Sequence, residues 1–328
     1  MPAHVFVLND ENFRICIHKG LVGLPSASID ARQRNATNDA LLSRLLLMRE
    51  NDYVLFYVAG KQELHGVWQA EGQAFYDETE VWPQKIYPFR FRLKSTKFSF
   101  ENPLRRKDIL DLSNKGLLWT FALQRASGSN AMFAISSVEF DTILQEFLKA
   151  NPFTIPKSVI LEPYPVRPAN ARGEIHFSAA GLPEYEYSVM ALLAEAFAQG
   201  KFQDIFGNYT DYQQYVPTSL GKEMDCLLYF HHPENPNQTM SYHIIEVKRD
   251  RFDKDCLSQL IGYEAWILHS KANGDLKMVR VSAIARRFDD DVVDYVAKRK
   301  QIEGKEIRLL KYEASREGTI ELKPMEIS

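Results

Sequence analysis

The chain opens on the alternating stretch His4-Val5-Phe6-Val7-Leu8, whose period of two predicts a strand. Residues 54–58, Val-Leu-Phe-Tyr-Val, form a continuous apolar run of the kind buried on both faces. Gly60-Lys61-Gln62 then supplies a turn, and His65-Gly66-Val67-Trp68-Gln69-Ala70 reads as the hairpin partner. Further strands are expected over 87–93 and 117–123. Helical spacing runs from Asn38 to Leu46, and again over Ser137–Ala150, where Phe140, Ile143, Leu144, Phe147 and Leu148 share one face. Residues 1–150 therefore read as a β-rich domain with a few helices.

The texture then changes. Pro152, Pro156, Pro163, Pro165, Pro168, Gly173, Gly181 and Pro183 crowd into 151–183, which marks a linker or extended arm. Beyond it, 184–199 is an amphipathic helix with Val189, Met190, Leu192, Leu193 and Phe197 as its stripe. Strands over 225–230 and 242–247 flank the turn-rich His232-Pro233-Glu234-Asn235-Pro236-Asn237. A helix over 253–269 and a strand over 278–284 follow. Asp289-Asp290-Asp291 suits the N-terminal dipole of another helix. The tail, 306–312 and 319–322, reads as a hairpin. This order predicts an α/β domain with a mixed sheet over 184–328.

Composition narrows the class. A length of 328 residues suits two domains. With 45% hydrophobic and 25% charged residues, disorder and fibrous structure are excluded. The net charge of -3 excludes a uniformly basic coat but leaves room for a local basic groove. Cys16, Cys226 and Cys256 form no CxxC pair, which fits reduced thiols in a cytoplasmic protein. No apolar run approaches the ~18 to 20 residues of a membrane span, and no leader pattern precedes the first strand. A cytoplasmic location without a membrane partner is the expectation. No GxxxxGK[ST] occurs, so a P-loop ATPase is excluded. His231-His232 reads as a surface pair rather than half of a zinc site.

One constellation carries chemistry. Asp225 opens a strand, and Ile244-Ile245-Glu246-Val247-Lys248 closes the next. Strand alternation puts Glu246 and Lys248 on one face and turns Val247 into the core. Pairing the two strands brings Asp225, Glu246 and Lys248 to one end of the hairpin. Two carboxylates there suit Mg²⁺ (or Mn²⁺), a hard ion that keeps several waters. Such an ion stabilises charge on a scissile phosphate, while Lys248 orients or helps deprotonate the attacking water. The bland alternative is a salt bridge closing a hairpin.

This arrangement resembles the PD-(D/E)xK nuclease superfamily, over roughly residues 184–284. Met224 stands where that motif has its proline. Gln259-Leu260-Ile261-Gly262-Tyr263 is similar to the QxxxY element of RecB-like nucleases and archaeal NucS-type endonucleases, with Gln259 and Tyr263 on one helix face. The resemblance implies a further upstream acid, Glu186 first, with Glu184 and Glu195 as competitors. It implies a restriction-endonuclease-like α/β fold, catalysis by these residues, and a metal held by Asp225 and Glu246 with the Val247 carbonyl as a third ligand. Many such nucleases dimerise to cut both strands, so a homodimer stays open.

The first domain resembles the PUA-like fold in its EVE and YTH branches, on Glu50-Asn51-Asp52-Tyr53-Val54-Leu55-Phe56-Tyr57 followed by Glu63-Leu64-His65-Gly66-Val67-Trp68-Gln69-Ala70. That likeness implies an α+β, PUA-like β-barrel reading a modified base in an aromatic cage. Trp68, Trp82 and Tyr87 are the expected walls, bordered by a polar loop holding Arg34 and Asn35. A flipped base needs flat π-surfaces to replace its lost stacking. The basic run from Lys85 to Lys107, including Arg90, Arg92, Lys94 and Lys97, suits phosphate contacts. The combined expectation is a Mg²⁺-dependent DNA endonuclease of modification-dependent restriction. A NucS-type repair endonuclease and a non-catalytic nucleic-acid-binding protein are the alternatives.

Overall fold

The computed structural model describes residues 2–26, 31–98, 100–121, 131–153, 160–165 and 170–327. Ala122 and Leu123 of the strand expected over 117–123, and Pro156 and Pro168, lie outside them. The chain divides into two units, Met1–Ile175 and His176–Ser328. Among the described residues no helix is long and apolar enough to cross a membrane.

The first unit runs β1 (Ala3–Leu8), α1 (Asp10–Lys19), β2 (Leu21–Leu24), α2 (Ala31–Leu45), β3 (Tyr53–Val58), β4 (Glu63–Tyr76), β5 (Phe89–Ser95), β6 (Leu104–Arg105), α3 (Arg106–Asn114), β7 (Met132–Ile135) and α4 (Ser137–Ala150). Its sheet has the order β2-β5-β4-β3-β1-β7, with β6 on β4. β3 lies parallel to β1 and antiparallel to β4, so both its edges are paired and its apolar run is buried. The path has two ends, β2 and β7, and no ladder joins them among the described residues. An open mixed sheet therefore stands where a closed barrel was expected.

Two local readings change. The helix expected from Asn38 starts at Ala31, so Arg34 and Asn35 sit within α2 and not in a loop before it. Residues 117–121 form no strand. The Trp119 and Thr120 backbone N–H groups instead donate to the Glu139 carboxylate, at 2.6 and 2.8 Å, so they serve no ladder. Glu139 also closes the N-terminus of α4 through a capping box with Ser136. α1 went unread in the sequence, although Asn9 caps it and Gly20 ends it in the left-handed conformation.

The second unit runs α5 (Glu186–Ala198), α6 (Gln203–Phe206), β8 (Asp211–Pro217), β9 (Glu223–His232), β10 (Asn235–Val247), β11 (Arg251–Phe252), α7 (Lys254–Ser270), β12 (Val279–Ala285), β13 (Arg287–Phe288), α8 (Asp290–Glu303), β14 (Ile307–Ala314) and β15 (Ile320–Pro324). The main sheet has the order β15-β14-β12-β10-β9-β8. β10 is antiparallel to β9 and parallel to β12, which makes the sheet mixed. Its outer half is exposed, and from Ser241 to Val247 every residue is buried. α5 packs on β10 and β15, and α7 on β10 and β12. His231 is not at the surface: it is buried beside Thr239, whose hydroxyl lies 3.2 Å from its ring.

Part of the stretch expected as linker packs into the first unit around a buried cation. Arg90 is fully buried and donates to the Tyr87 carbonyl at 2.7 Å, the Tyr164 hydroxyl at 2.8 Å and the Thr79 carbonyl. Tyr164 in turn donates to Asp77 at 2.8 Å, and Asp77 lies 3.7 Å from the guanidinium. Burial works against the Asp77 carboxylate, but hydrogen bonds from Thr79 and Tyr164 outweigh it and hold its pKa down at about 2. Arg90 is thus a core residue and no phosphate contact. Replacing it with methionine removes the buried countercharge of Asp77 and the donors to the Tyr87 and Thr79 carbonyls and the Tyr164 hydroxyl. We expect a loss of at least about 3 kcal/mol in urea unfolding of the full chain. An unchanged unfolding midpoint would show that the cluster contributes little.

Candidate functional site

The antiparallel ladder between β9 and β10 has its last registered pair at Ile245 and Cys226. Just beyond it the Asp225 carboxylate accepts the Val247 N–H at 2.8 Å. On the other edge the Lys248 N–H donates to the Ile284 carbonyl at 2.8 Å. Residues 246–248 are thereby kept extended, and alternation does the rest. Val247 is fully buried, while Glu246 and Lys248 share the opposite face.

The Lys248 ammonium stands at the centre of the group. It lies 2.8 Å from Glu246 Oε1, 2.9 Å from the Val247 carbonyl, 3.4 Å from Glu186 Oε1 and 3.7 Å from Asp225 Oδ2. From α7, Gln259 donates to Glu246 Oε1 at 3.0 Å and to the Tyr263 hydroxyl at 2.8 Å. Tyr263 donates onward to the Glu223 carbonyl at 2.7 Å, which ties the helix to the start of β9. The structure therefore brings together all six residues singled out here: Glu186, Asp225, Glu246, Lys248, Gln259 and Tyr263. Of the competing acids, Glu184 accepts from the Tyr185 hydroxyl instead.

Three carboxylates around one ammonium leave an excess of negative charge. Burial, and then the neighbouring Asp225 carboxylate, push the Glu246 pKa up to about 8. Burial raises Asp225 and Glu186 as well, against the attraction of Lys248. For Lys248 burial alone would favour the neutral amine, but Asp225, Glu246 and Glu186 outweigh it and hold the group protonated. Burial, with Glu246 and Asp225 nearby, keeps the Tyr263 phenol protonated too. Strongly shifted groups gathered at one point characterise functional sites more than structural ion pairs.

These donors fit a hard divalent cation. Glu246 Oε2 is buried and has no hydrogen-bond partner among the described residues, which leaves one oxygen free for a ligand. Among the described residues no three Asp, Glu, His or Cys side chains are arranged to hold a metal on their own. The fitting set is two carboxylates and a backbone carbonyl. All three contact the same cation, Lys248 Nζ.

Trp68 is not gathered with Trp82 and Tyr87 into one cage. Trp68 lines a pocket of about 220 Å³ with Phe13, His65, Thr96, Phe98 and Phe100. Trp82 lines a separate depression in the 80–86 loop. It is 4% exposed and packs on Tyr87, with ring centres 4.9 Å apart. Both rest on β2 at Gly23, where an added Cβ would come within 2.8 Å of each. Arg34, on α2, is exposed. Phe98 and Phe100, which lie within the basic run from Lys85 to Lys107, also wall the pocket. Their role as pocket walls depends on the return of the chain beside β4.

No protein-family model and no curated protein matches the chain. Solved structures similar to part of the chain include a hypothetical protein from Leishmania major, 16% identical, covering 45% of this chain and 96% of that one, with a TM-score of 0.34. The YTH domain of Zygosaccharomyces rouxii MRB1, solved with N6-methyladenosine RNA, is 17% identical over 44% of this chain and 86% of its own, with a TM-score of 0.28. Human THYN1, solved with 5-methylcytosine DNA, is 12% identical over 45% and 98%, with a TM-score of 0.29.

If the carboxylates hold a divalent ion, Mg²⁺ stabilises the folded protein by mass action, by about 2.7 kcal/mol at a hundredfold excess over Kd. Thermal melts with Mg²⁺ against EDTA should show this for the native chain and not for Glu246→Gln. In EDTA above pH 8, where Glu246 is ionised, the variant should melt no lower than the native chain, because a buried like charge is gone. Equal Mg²⁺ shifts in both proteins would exclude Glu246 as a ligand.

Proposed function

We propose that the second unit hydrolyses phosphodiester bonds in DNA with a divalent metal ion, and that the first unit selects the substrate. What carries this reading is the convergence of Asp225 Oδ2, Glu246 Oε1 and the Val247 carbonyl on one cation, Lys248 Nζ, with Gln259 and Tyr263 hydrogen-bonded into the same group. A salt bridge that only closed a hairpin would need neither the second and third carboxylates nor a half-buried glutamine aimed at them.

Asp225, Glu246 and the Val247 carbonyl are the residues that would hold Mg²⁺. When bound, the ion supplies charge stabilisation at the phosphate and lowers the pKa of coordinated water. The protein supplies position. Asp225 is fixed by the Val247 N–H it accepts, and Glu246 by Gln259, which Tyr263 anchors to β9. Lys248 is held protonated, so it serves as a donor that orients water and counters negative charge developing on the phosphate. Glu186, half-buried and 3.4 Å from Lys248, positions that ammonium.

The first unit enters through its sequence likeness to EVE and YTH domains, and its reading of a modified base is part of the proposal. Trp68, Phe98 and Phe13 around one pocket offer the π-surfaces that such a ligand needs.

The test is cleavage of modified and unmodified duplexes by purified protein with Mg²⁺. Asp225→Ala should abolish cutting while leaving the circular dichroism spectrum unchanged. Lys248→Ala should slow it by at least ~10²-fold. Undiminished cutting by the Asp225 variant would overturn the assignment.

A further inference from the structure

β10 and β12 run parallel and end together, Val247 opposite Ile284. The segments leaving them carry Lys248-Arg249-Asp250-Arg251 and Arg286-Arg287. These are not loose loops. β11 and β13 pair Arg251 with Arg287 and Phe252 with Phe288, and the Phe252 side chain is fully buried beneath them. The Arg287 N–H also donates to the Asp250 carbonyl at 2.9 Å. The arginines therefore project from a fixed base beside the carboxylate group.

Their charges do not balance locally. Arg251 is matched by Asp289 in a two-point ion pair. Arg286 and Arg287 share the single carboxylate of Asp250, at 3.7 and 2.8 Å. Arg249 donates to a backbone carbonyl, that of Glu184. The side chains of Arg286 and Arg287 remain 41% and 69% exposed. Tyr312 lies within electrostatic reach of Arg286, Arg249, Asp250 and Glu186, which places the strip next to the site's outermost acid. On the opposite side of the sheet order, Lys222 before β9 lies 3.3 Å from Gln259.

An anionic cluster repels a phosphodiester, so a substrate strand needs cations on its path in and out. Guanidinium groups suit phosphate by their paired donors. The geometry points to Arg286 and Arg287, with Arg249 beside them, as the grip on backbone phosphates flanking the cleaved bond, in duplex DNA. This inference rests on the proposed function for the choice of substrate.

The experiment measures binding of the full-length chain to an unmodified DNA duplex in EDTA, by fluorescence anisotropy over a series of salt concentrations. Each phosphate neutralised adds about 0.9 to the slope of log K against log salt. The double variant R286A/R287A should lower the slope by about 1.8, two contacts at about 0.9 each. R286K/R287K keeps the charges and should keep the slope. An unchanged slope for the alanine variant overturns the assignment, and so does an equal loss in the lysine variant, which would make the role structural. Cleavage is read separately: a slope that depends on the arginines, in a protein that never cuts with Mg²⁺, refutes the nuclease reading and leaves the phosphate grip standing.

Discussion

The second unit depends on how a half-buried ammonium is kept among carboxylates at the end of β10. Lys248 contacts Glu246, Glu186, Asp225 and the Val247 carbonyl, and no other cation is within salt-bridge distance of those carboxylates among the described residues. Glu246 is fully buried, and one of its oxygens has no partner. Such a cluster opposes folding, because burial and like-charge repulsion both disfavour the ionised carboxylates. It persists because the surrounding hydrogen bonds are over-determined. The Val247 N–H on β10 fixes Asp225, and the Gln259 amide on α7 fixes Glu246, while Tyr263 of the same helix ties Gln259 to the Glu223 carbonyl of β9. A site that stores unfavourable charge in a rigid frame is suited to a ligand of opposite sign.

The sheet makes that frame. β10 has neighbours on both edges, so its position is set by the antiparallel ladder from β9 and the parallel one from β12. The polar chemistry begins where the β9 ladder ends, and Asp225 replaces the missing acceptor. The parallel partner also delivers Arg286 and Arg287 to the same end, since strands running the same way finish on the same side. Acids and arginines thus adjoin through topology alone, although nearly forty positions separate Glu246 from Arg286.

In the first unit a cation is also central, with an opposite outcome. Arg90 is satisfied on every side, by carbonyls, a hydroxyl and Asp77, and it faces the Trp82 and Tyr164 rings at 5.3 Å each. Nothing is left over for a ligand. This cluster draws Trp82 into the packed interior and leaves Trp68 to line a separate pocket.

Much of this could be read directly from the chain. The period of two in Glu246-Val247-Lys248 sets which side chains share a face, and the i, i+4 spacing of Gln259 and Tyr263 does the same on α7. The continuous apolar run at β3 signals a strand buried on both faces. These patterns are local, and backbone geometry alone decides them. Tertiary structure decided what depends on partners distant in sequence. Residues 117–121 look like a strand until Glu139 takes their N–H groups. Arg90 looks like a surface cation until Tyr164, from within the proline-rich stretch, closes over it. Whether Trp68, Trp82 and Tyr87 wall one pocket or several depends on Gly23 and on how β2 meets the 80–86 loop. A residue's type says which interactions it can make, and the long-range fold decides which partner arrives to make them.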